Sequence, residues 1–246
     1  NTFYINDQLK ATFTAVGNLR SQKAPGTFAQ RKNTAVGAFE RDFDINPFSY
    51  ALGTSRTLRP KDAQGNLEYY RNNWAPFNIL EEYRNNYMKI DVLDFKIQAA
   101  SYKLNPHLEV TALVSARQAQ TQSSHYITEN SNVIKAFRAN ETPQVANDNI
   151  YLLKNKDNPL APPQIALTNG GIFNKTETSL KSYMGRFAVD YHRTLHEHHD
   201  LKAFGFAEIR YADRTVTPFQ GYGIQYDRGN QVFTNPLIFQ KLLNEG

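Results

Sequence analysis

Hydrophobic and polar residues alternate with a period of two along five stretches of this chain. Leu9, Ala11, Phe13, Ala15, Gly17 and Leu19 fall on one side; Lys10, Thr12, Thr14, Asn18 and Arg20 fall on the other, with Val16 the exception. Leu93, Phe95, Ile97 and Ala99 oppose Asp94, Lys96 and Gln98. Leu108, Val110, Ala112, Val114 and Ala116 oppose Glu109, Thr111, Ser115 and Arg117. Tyr183, Phe187, Val189 and Tyr191 oppose Ser182, Arg186, Asp190 and His192. Leu201, Ala203, Ala207, Ile209 and Tyr211 oppose Lys202, Glu208 and Arg210, while Phe204 and Phe206 break the polar side. This period predicts strands with one face in a different medium from the other. The strands run for about 10 to 14 residues, against the ~5–6 usual in soluble sheets. A bilayer-crossing strand needs about 9–11 residues, with an apolar face to lipid and a polar face to a lumen. The apolar sides here are small and aromatic, whereas a sandwich core is richer in Leu and Ile.

The connections sharpen that reading. Leu104 to His107 joins the second and third strands, and Leu195 to Asp200 joins the fourth and fifth. Asn-Pro and an Asp/Glu/His cluster are turn chemistry. The other connections are long: Ser21 to Met88, Gln118 to Thr178, and Asp213 onward. Compact soluble domains seldom carry connections of ~60 residues. Short turns at one end and long loops at the other is the arrangement of an outer-membrane barrel. Asn78 to Met88 predicts a short helix with Tyr83 and Tyr87 one turn apart. Ser131 to Arg138 predicts another, with Ser131 as its N-cap.

Composition removes several alternatives. The chain has 246 residues, no cysteine, 31 aromatics (16 Phe, 14 Tyr, 1 Trp) and a formal charge of +5. A disulfide scaffold and a Cys-ligated zinc site both need cysteine. The charge is spread along the chain, which argues against a nucleic-acid surface. The longest stretch free of Asp, Glu, Lys and Arg is Asn158 to Asn174, 17 residues holding Pro159, Pro162 and Pro163. Proline at that density is incompatible with a spanning helix. No initiator Met or charged-then-apolar start is present, so no signal peptide is visible. The sequence reads as an internal piece of something longer; a processed N-terminus is the competing explanation.

A family resemblance now becomes visible. Asn46-Pro47-Phe48, Tyr50-Ala51-Leu52, Arg56, Arg59-Pro60, Gly65-Asn66-Leu67 and Tyr69-Tyr70 fall in one order. That order resembles a segment of SusC/RagA-type TonB-dependent outer-membrane receptors. Phe77 to Tyr83, the hairpin Leu93 to Val110, the strand Ser182 to Tyr191 and the terminal Asn235-Pro236-Leu237 are also similar to parts of those receptors. The resemblance covers most of the chain from Lys10 onward, carried by order and spacing rather than by one diagnostic motif. It departs from the family in lacking the plug domain, the TonB-contacting box, the N-terminal extension and the closing aromatic strand.

The resemblance implies an all-β fold: an antiparallel transmembrane β-barrel segment with long external loops, part of a ~22-stranded barrel with a plugged lumen. Residues 1–246 would be a portion of the receptor's barrel domain. It implies active import of oligosaccharides or oligopeptides beneath a SusD-like surface lipoprotein. TonB would supply energy through the missing plug. The setting it implies is the outer membrane of a Gram-negative, Bacteroidetes-type bacterium.

Candidate sites are few. Tyr69, Tyr70, Arg71, Trp74, Phe77 and Tyr83 combine aromatic faces with polar neighbours, a composition that stacks on sugars or holds peptide side chains. The alternative is that they fold the loop upon itself or pack against a lid. Asp94, Lys96, Arg117, Arg186, Asp190, Glu208 and Arg210 share the polar strand faces. They line a lumen, either as a solute path or as links to a plug. Tyr102, Tyr183, Tyr191 and Tyr211 at strand ends suit interfacial girdles.

The remaining clusters read as structure. His192, His196, His198 and His199 sit at a tight turn without the order of a zinc motif. The adjacent pairs Glu81/Glu82 and Asp42/Asp44 read as solvated faces; glycosidase chemistry needs carboxyls ~5–9 Å apart across a cleft. Ser123-Ser124-His125 reads as a polar loop, and Gly170-Gly171 as a turn. No catalytic residue, metal site or cofactor is expected. Two rivals stand: a soluble β-sandwich that binds carbohydrate, and a secreted β-rich hydrolase. The sandwich requires the apolar strand faces to converge on a shared interior; the barrel requires them to face outward.

Overall fold

The computed structural model describes residues 2–4, 10–26, 30–32, 39–41, 59–72, 74–99, 102–105, 107–195, 199–229, 231–232, 235–238 and 240. Most of the Asn46 to Pro60 motif, Asp42, Asp44, His196 and His198 lie outside them. In chain order the elements are β1 (Thr2–Tyr4), β2 (Lys10–Pro25), β3 (Gln30–Lys32), β4 (Phe39–Arg41), β5 (Tyr70–Asn72) and β6 (Ala75–Phe77). Then come α1 (Ile79–Asn85), β7 (Asn86–Ala99), β8 (Tyr102–Asn105), β9 (Leu108–Ile127), α2 (Asn132–Arg138) and α3 (Pro143–Asp148). The chain continues through β10 (Leu152–Leu153), β11 (Gln164–Ile165), β12 (Gly171–Leu195), β13 (His199–Gln225), a 3-10 turn (Tyr226–Arg228) and β14 (Gln231–Val232).

The protein is mostly antiparallel β-sheet. Eight strands make one sheet in the order β1-β2-β7-β9-β12-β13-β14, with β8 on β9. Among the described residues this sheet is open, with no pairing between its two ends. No described helix is long and apolar enough to cross a membrane.

The five expected strands are present but longer than the alternation indicates. Strand continues over 21–25, 86–88, 118–127, 171–178 and 213–225, all expected as loop. In these extensions both faces carry polar residues, as in Gln118, Thr121 and Ser123. The backbone ladder persists where the side-chain pattern has gone.

The chain divides into two compact units. The first comprises residues 1–21, 90–122 and 176–217. It is bare sheet. Leu19, Val114 and Ile209 are 82%, 65% and 81% exposed, and Phe13, Leu93, Phe95, Tyr183, Phe187, Leu201 and Tyr211 are exposed as well. All lie on the apolar side of their strands, so among the described residues these faces meet no interior. Tyr183 and Tyr211 stack across β12 and β13 with centroids 6.4 Å apart. On the same faces the apolar run gives way to Ser21, Asp91, Gln118, Gln120, Lys181 and Asp213.

The second unit comprises residues 22–89, 123–175 and 218–246, and it folds on itself. Phe77, Ile127, Val133, Ile134, Phe137, Ala166, Leu167 and Ile172 form its core. Asn78 caps α1: its Oδ1 accepts from Leu80 N at 2.9 Å and Glu81 N at 3.3 Å, while its amide donates to the carbonyls of Pro60 and Glu68, both at 2.7 Å. The expected Ser131 cap of α2 is present, accepting from Ile134 N at 3.2 Å. Arg138 closes the loop by donating to the carbonyls of Leu167 (3.0 Å) and Gly170 (2.7 Å). Gly170 has φ +73, and a Cβ there would overlap the Gly223 carbonyl, so only glycine fits.

Candidate functional site

The expected aromatic loop lies in the second unit and divides into a packed half and an exposed half. β5 and β6 pair as a hairpin with Asn72 opposite Ala75, so the turn has two residues. Such turns favour positive φ, and Trp74 takes it, at φ 63. This costs a bulky residue of order 1 kcal/mol or more. Packing holds it there: the Trp74 ring meets Tyr151 edge-on at 5.8 Å. Tyr70 and Phe77, opposite each other in the hairpin, meet edge-on at 5.1 Å. Phe77 is fully buried in the core. These three residues therefore fold the loop, the alternative role open to them from sequence. Tyr69, Arg71 and Tyr83 are the exposed members.

The exposed half has its own polar frame. Glu81 accepts from Lys135 Nζ at 2.6 Å, and the Lys135 ammonium lies 5.4 Å from the Tyr69 ring centroid. The Tyr69 phenol is held above its ordinary pKa by partial burial and then by Glu81, to which it donates. Arg71 donates to the Trp74 carbonyl at 3.2 Å and lies 3.7 Å from Glu141. Aromatic face, cation, carboxylate and guanidinium together suit a polar, hydroxylated or amide-rich ligand better than an apolar one.

Glu82 corrects one expectation. Glu81 and Glu82 do point different ways, but Glu82 is buried rather than solvated. Its carboxylate accepts from Asn86 Nδ2 at 2.9 Å and Asn132 N at 2.5 Å. Asn86 Oδ1 in turn accepts from His125 Nε2, 2.7 Å away. Burial raises the Glu82 pKa, and burial lowers that of His125 to about 4. Neutral His125 donating to Asn86 is thus the form at pH 7. Ser123-Ser124-His125, expected as a polar loop, is the end of β9, with Ser124 and His125 buried. Gly26 lies against this chain of hydrogen bonds, where a Cβ would overlap Asn86 and His125.

A second feature escaped the sequence altogether. Lys23 sits 3.8 Å over Tyr87, which stacks on Tyr126 at 4.9 Å; Tyr126 meets Phe173 at 5.0 Å, and Phe173 meets Phe219 at 6.2 Å. The ends of this row, Lys23 and Phe219, are 196 residues apart in sequence, and only strand pairing brings its members together.

The expected lumen set lies in the first unit, and four of its seven members form two pairs. Arg117 grips Asp94 with two bonds, Nε to Oδ1 at 2.9 Å and Nη2 to Oδ2 at 2.7 Å. Arg210 lies 3.1 Å from Glu208 and 3.8 Å from the Met184 sulfur. Arg186 stacks over Phe206 at 4.6 Å, so the aromatic that breaks the polar side serves as a cation platform. Lys96 and Asp190 are exposed. At the turn, His192 Nε2 lies 3.1 Å from Asp200, a pair rather than a metal shell. Among the described residues no three His, Asp or Glu side chains group as metal ligands. No family model matches the chain, and no curated protein matches it at a significant level.

Proposed function

We propose that this chain supplies barrel wall and external loops to an outer-membrane importer of the SusC/RagA type. In this reading the solute is an oligosaccharide or oligopeptide, held by the loops beneath a SusD-like lipoprotein. TonB acts through a plug domain, and the chain performs no catalytic turnover. Tyr69, Arg71 and Tyr83 are the loop residues nearest the solute, and the Asp94/Arg117 and Glu208/Arg210 pairs face the lumen.

The observation that carries the reading is the exposed apolar band of the first unit, ended on its own strands by polar residues. From Leu108 to Ala116 and from Leu201 to Tyr211 it runs about 27–34 Å at ~3.4 Å per residue. With a strand tilt of ~35–45° this gives roughly 19–28 Å in height, a range that includes the ~25 Å lipid-facing band of outer-membrane barrels. Five long strands are fewer than the ~8 of the smallest such barrel, so other strands complete the wall. The aromatic pair Tyr183/Tyr211 lies where the band ends, as an interfacial girdle does. The order of motifs in the sequence supplies the family. A soluble sandwich would leave these faces without the second sheet it requires.

Thiol labelling tests this in cells. The chain has no cysteine, so each introduced thiol is its only one. Thiols from Val114→Cys and Ile209→Cys are expected to react with a membrane-soluble maleimide and to be shielded from a charged, impermeant one. That from Tyr83→Cys is expected to react with the impermeant reagent. Equal reaction of all three with the impermeant reagent would overturn the proposal.

A further inference from the structure

Just before β12 lies the chain's one Asn-Gly pair, Asn169-Gly170. Asn169 is exposed, and among the described residues its side-chain amide holds no partner. The backbone on both sides of it is pinned, because Arg138 donates to the carbonyls of Leu167 at 3.0 Å and Gly170 at 2.7 Å. The Gly170 N–H donates to Oε1 of the Glu129 carboxylate. Arg138 Nη2 lies 3.7 Å from the same oxygen and helps to hold it there. Gly170 carries no Cβ to shield its own nitrogen. An uncommitted amide carbon, an unshielded nitrogen one residue on and a carboxylate already on that nitrogen's proton are the parts of an intramolecular acyl transfer.

We propose that Asn169-Gly170 is a self-modification site with Glu129 as its general base. The Gly170 nitrogen attacks Cγ of Asn169 and closes a five-membered ring. Glu129 takes the Gly170 proton as the N–Cγ bond forms and returns it to the departing amide nitrogen. The Cγ–Nδ2 bond breaks and ammonia leaves, giving a succinimide. Water then opens the ring at either carbonyl, giving aspartate or isoaspartate at position 169. The net change is amide plus water to acid plus ammonia, with no oxidation or reduction. The isoaspartate product has one more carbon in its main chain immediately before Gly170. A Cβ on Gly170 would already overlap the Gly223 carbonyl, so the longer chain is not taken up on that side. Arg138 then loses its Gly170 contact, and the loop it closes loosens. The site is a one-way change built into the second unit, and it depends on neither the membrane nor the solute.

Peptide mass mapping over days at neutral pH tests it, on the whole protein purified from cells that produce it. Trypsin releases residues 157–175, which also hold Asn158 and Asn174. Asn158 precedes a proline, which has no N–H, and Asn174 precedes Lys175, so both are internal controls. The amide-to-acid mass gain is expected at Asn169, and isoaspartyl methyltransferase is expected to label that peptide. The folded protein is expected to react about tenfold faster than the same protein held unfolded in urea, within what a positioned base contributes. Glu129→Gln is expected to remove that advantage, and Asn169→Gln to remove the reaction. A folded protein that reacts no faster than the unfolded chain, or a Glu129→Gln variant that reacts as fast as the parent, would overturn the proposal. The comparison of folded with unfolded parent decides it even where Glu129→Gln disturbs the loop.

Discussion

The two units draw on one set of long strands and treat hydrophobic surface in opposite ways. Among the described residues the second holds every buried apolar side chain except Ala188. The first presents Leu19, Val114, Ile209 and their neighbours outward. A buried Phe or Leu contributes about 1.5–3 kcal/mol by leaving water. The second unit collects that stabilisation from its own chain. The first must collect it from something else, and in the proposed reading that partner is lipid. Period two alone says that two faces meet different media, and it is silent on which medium the apolar face meets.

The sharpest test of this contrast is a pair of truncations. Phe77→Ala is expected to destabilise the second unit by about 3–5 kcal/mol through the cavity it opens. Trp74, the chain's one tryptophan, reports the loss by fluorescence during denaturation. Val114→Ala is expected to stay within about 0.5 kcal/mol, because no packed shell surrounds it. Similar losses at both sites would break the contrast.

The next effect depends on pH. His125 has a folded pKa of about 4, lowered by burial, against ~6.5 unfolded. The folded state binds fewer protons between these values, so stability falls as pH drops from about 6.5 to 4, by about 3 kcal/mol in all. Glu82 acts in the opposite sense. Its raised folded pKa gives stability that is full below ~4.5 and is lost as pH rises through the folded value. His125→Gln is expected to remove the acid limb and leave the Glu82 limb, read by Trp74 fluorescence melts from pH 7 to 4.

Two smaller effects follow. Gly170→Ala is expected to cost the second unit about 1–3 kcal/mol, from positive φ and overlap with the Gly223 backbone. Limited proteolysis at 160–175 reads it. Arg117→Lys exchanges a two-bond grip on Asp94 for a point charge on a half-exposed pair. It is expected to cost under about 1 kcal/mol, read by the denaturant midpoint. A larger loss would mean that the first unit is held by its ion pairs rather than by its surroundings.

Much of the fold was legible, and the failures have a common cause. All five strands were visible from alternation, and α2 from its helical period and Ser131 cap. Of the helix expected over Asn78 to Met88, only Ile79–Asn85 is helical, and Tyr87 lies in β7 rather than one turn after Tyr83. The strand ends were not visible either. From Gln118 to Ser124 both faces are polar, so alternation stops while hydrogen bonding continues. The site was legible in composition but not in geometry: nothing in Tyr69 to Tyr83 marks Phe77 as core and Tyr83 as exposed. That depends on Ile127, Val133 and Leu167, which lie ~50–90 residues away. His125 gave no signal, because burial of a polar residue at a strand end depends on partners such as Asn86 on another strand.

The last long strand has a consequence for handling the molecule. Beyond β13, the described residues place only the two-residue β14 against it, at Ile224 and Gln225. An edge of that length is a template for any extended peptide. In the proposed barrel it would be the seam at which the next strand is stitched on. In a dilute preparation of this chain alone, the same seam would recruit further copies. Fibrous precipitates then become the outcome to watch for, and a short capping peptide that follows the β12 alternation is the reagent to prevent them.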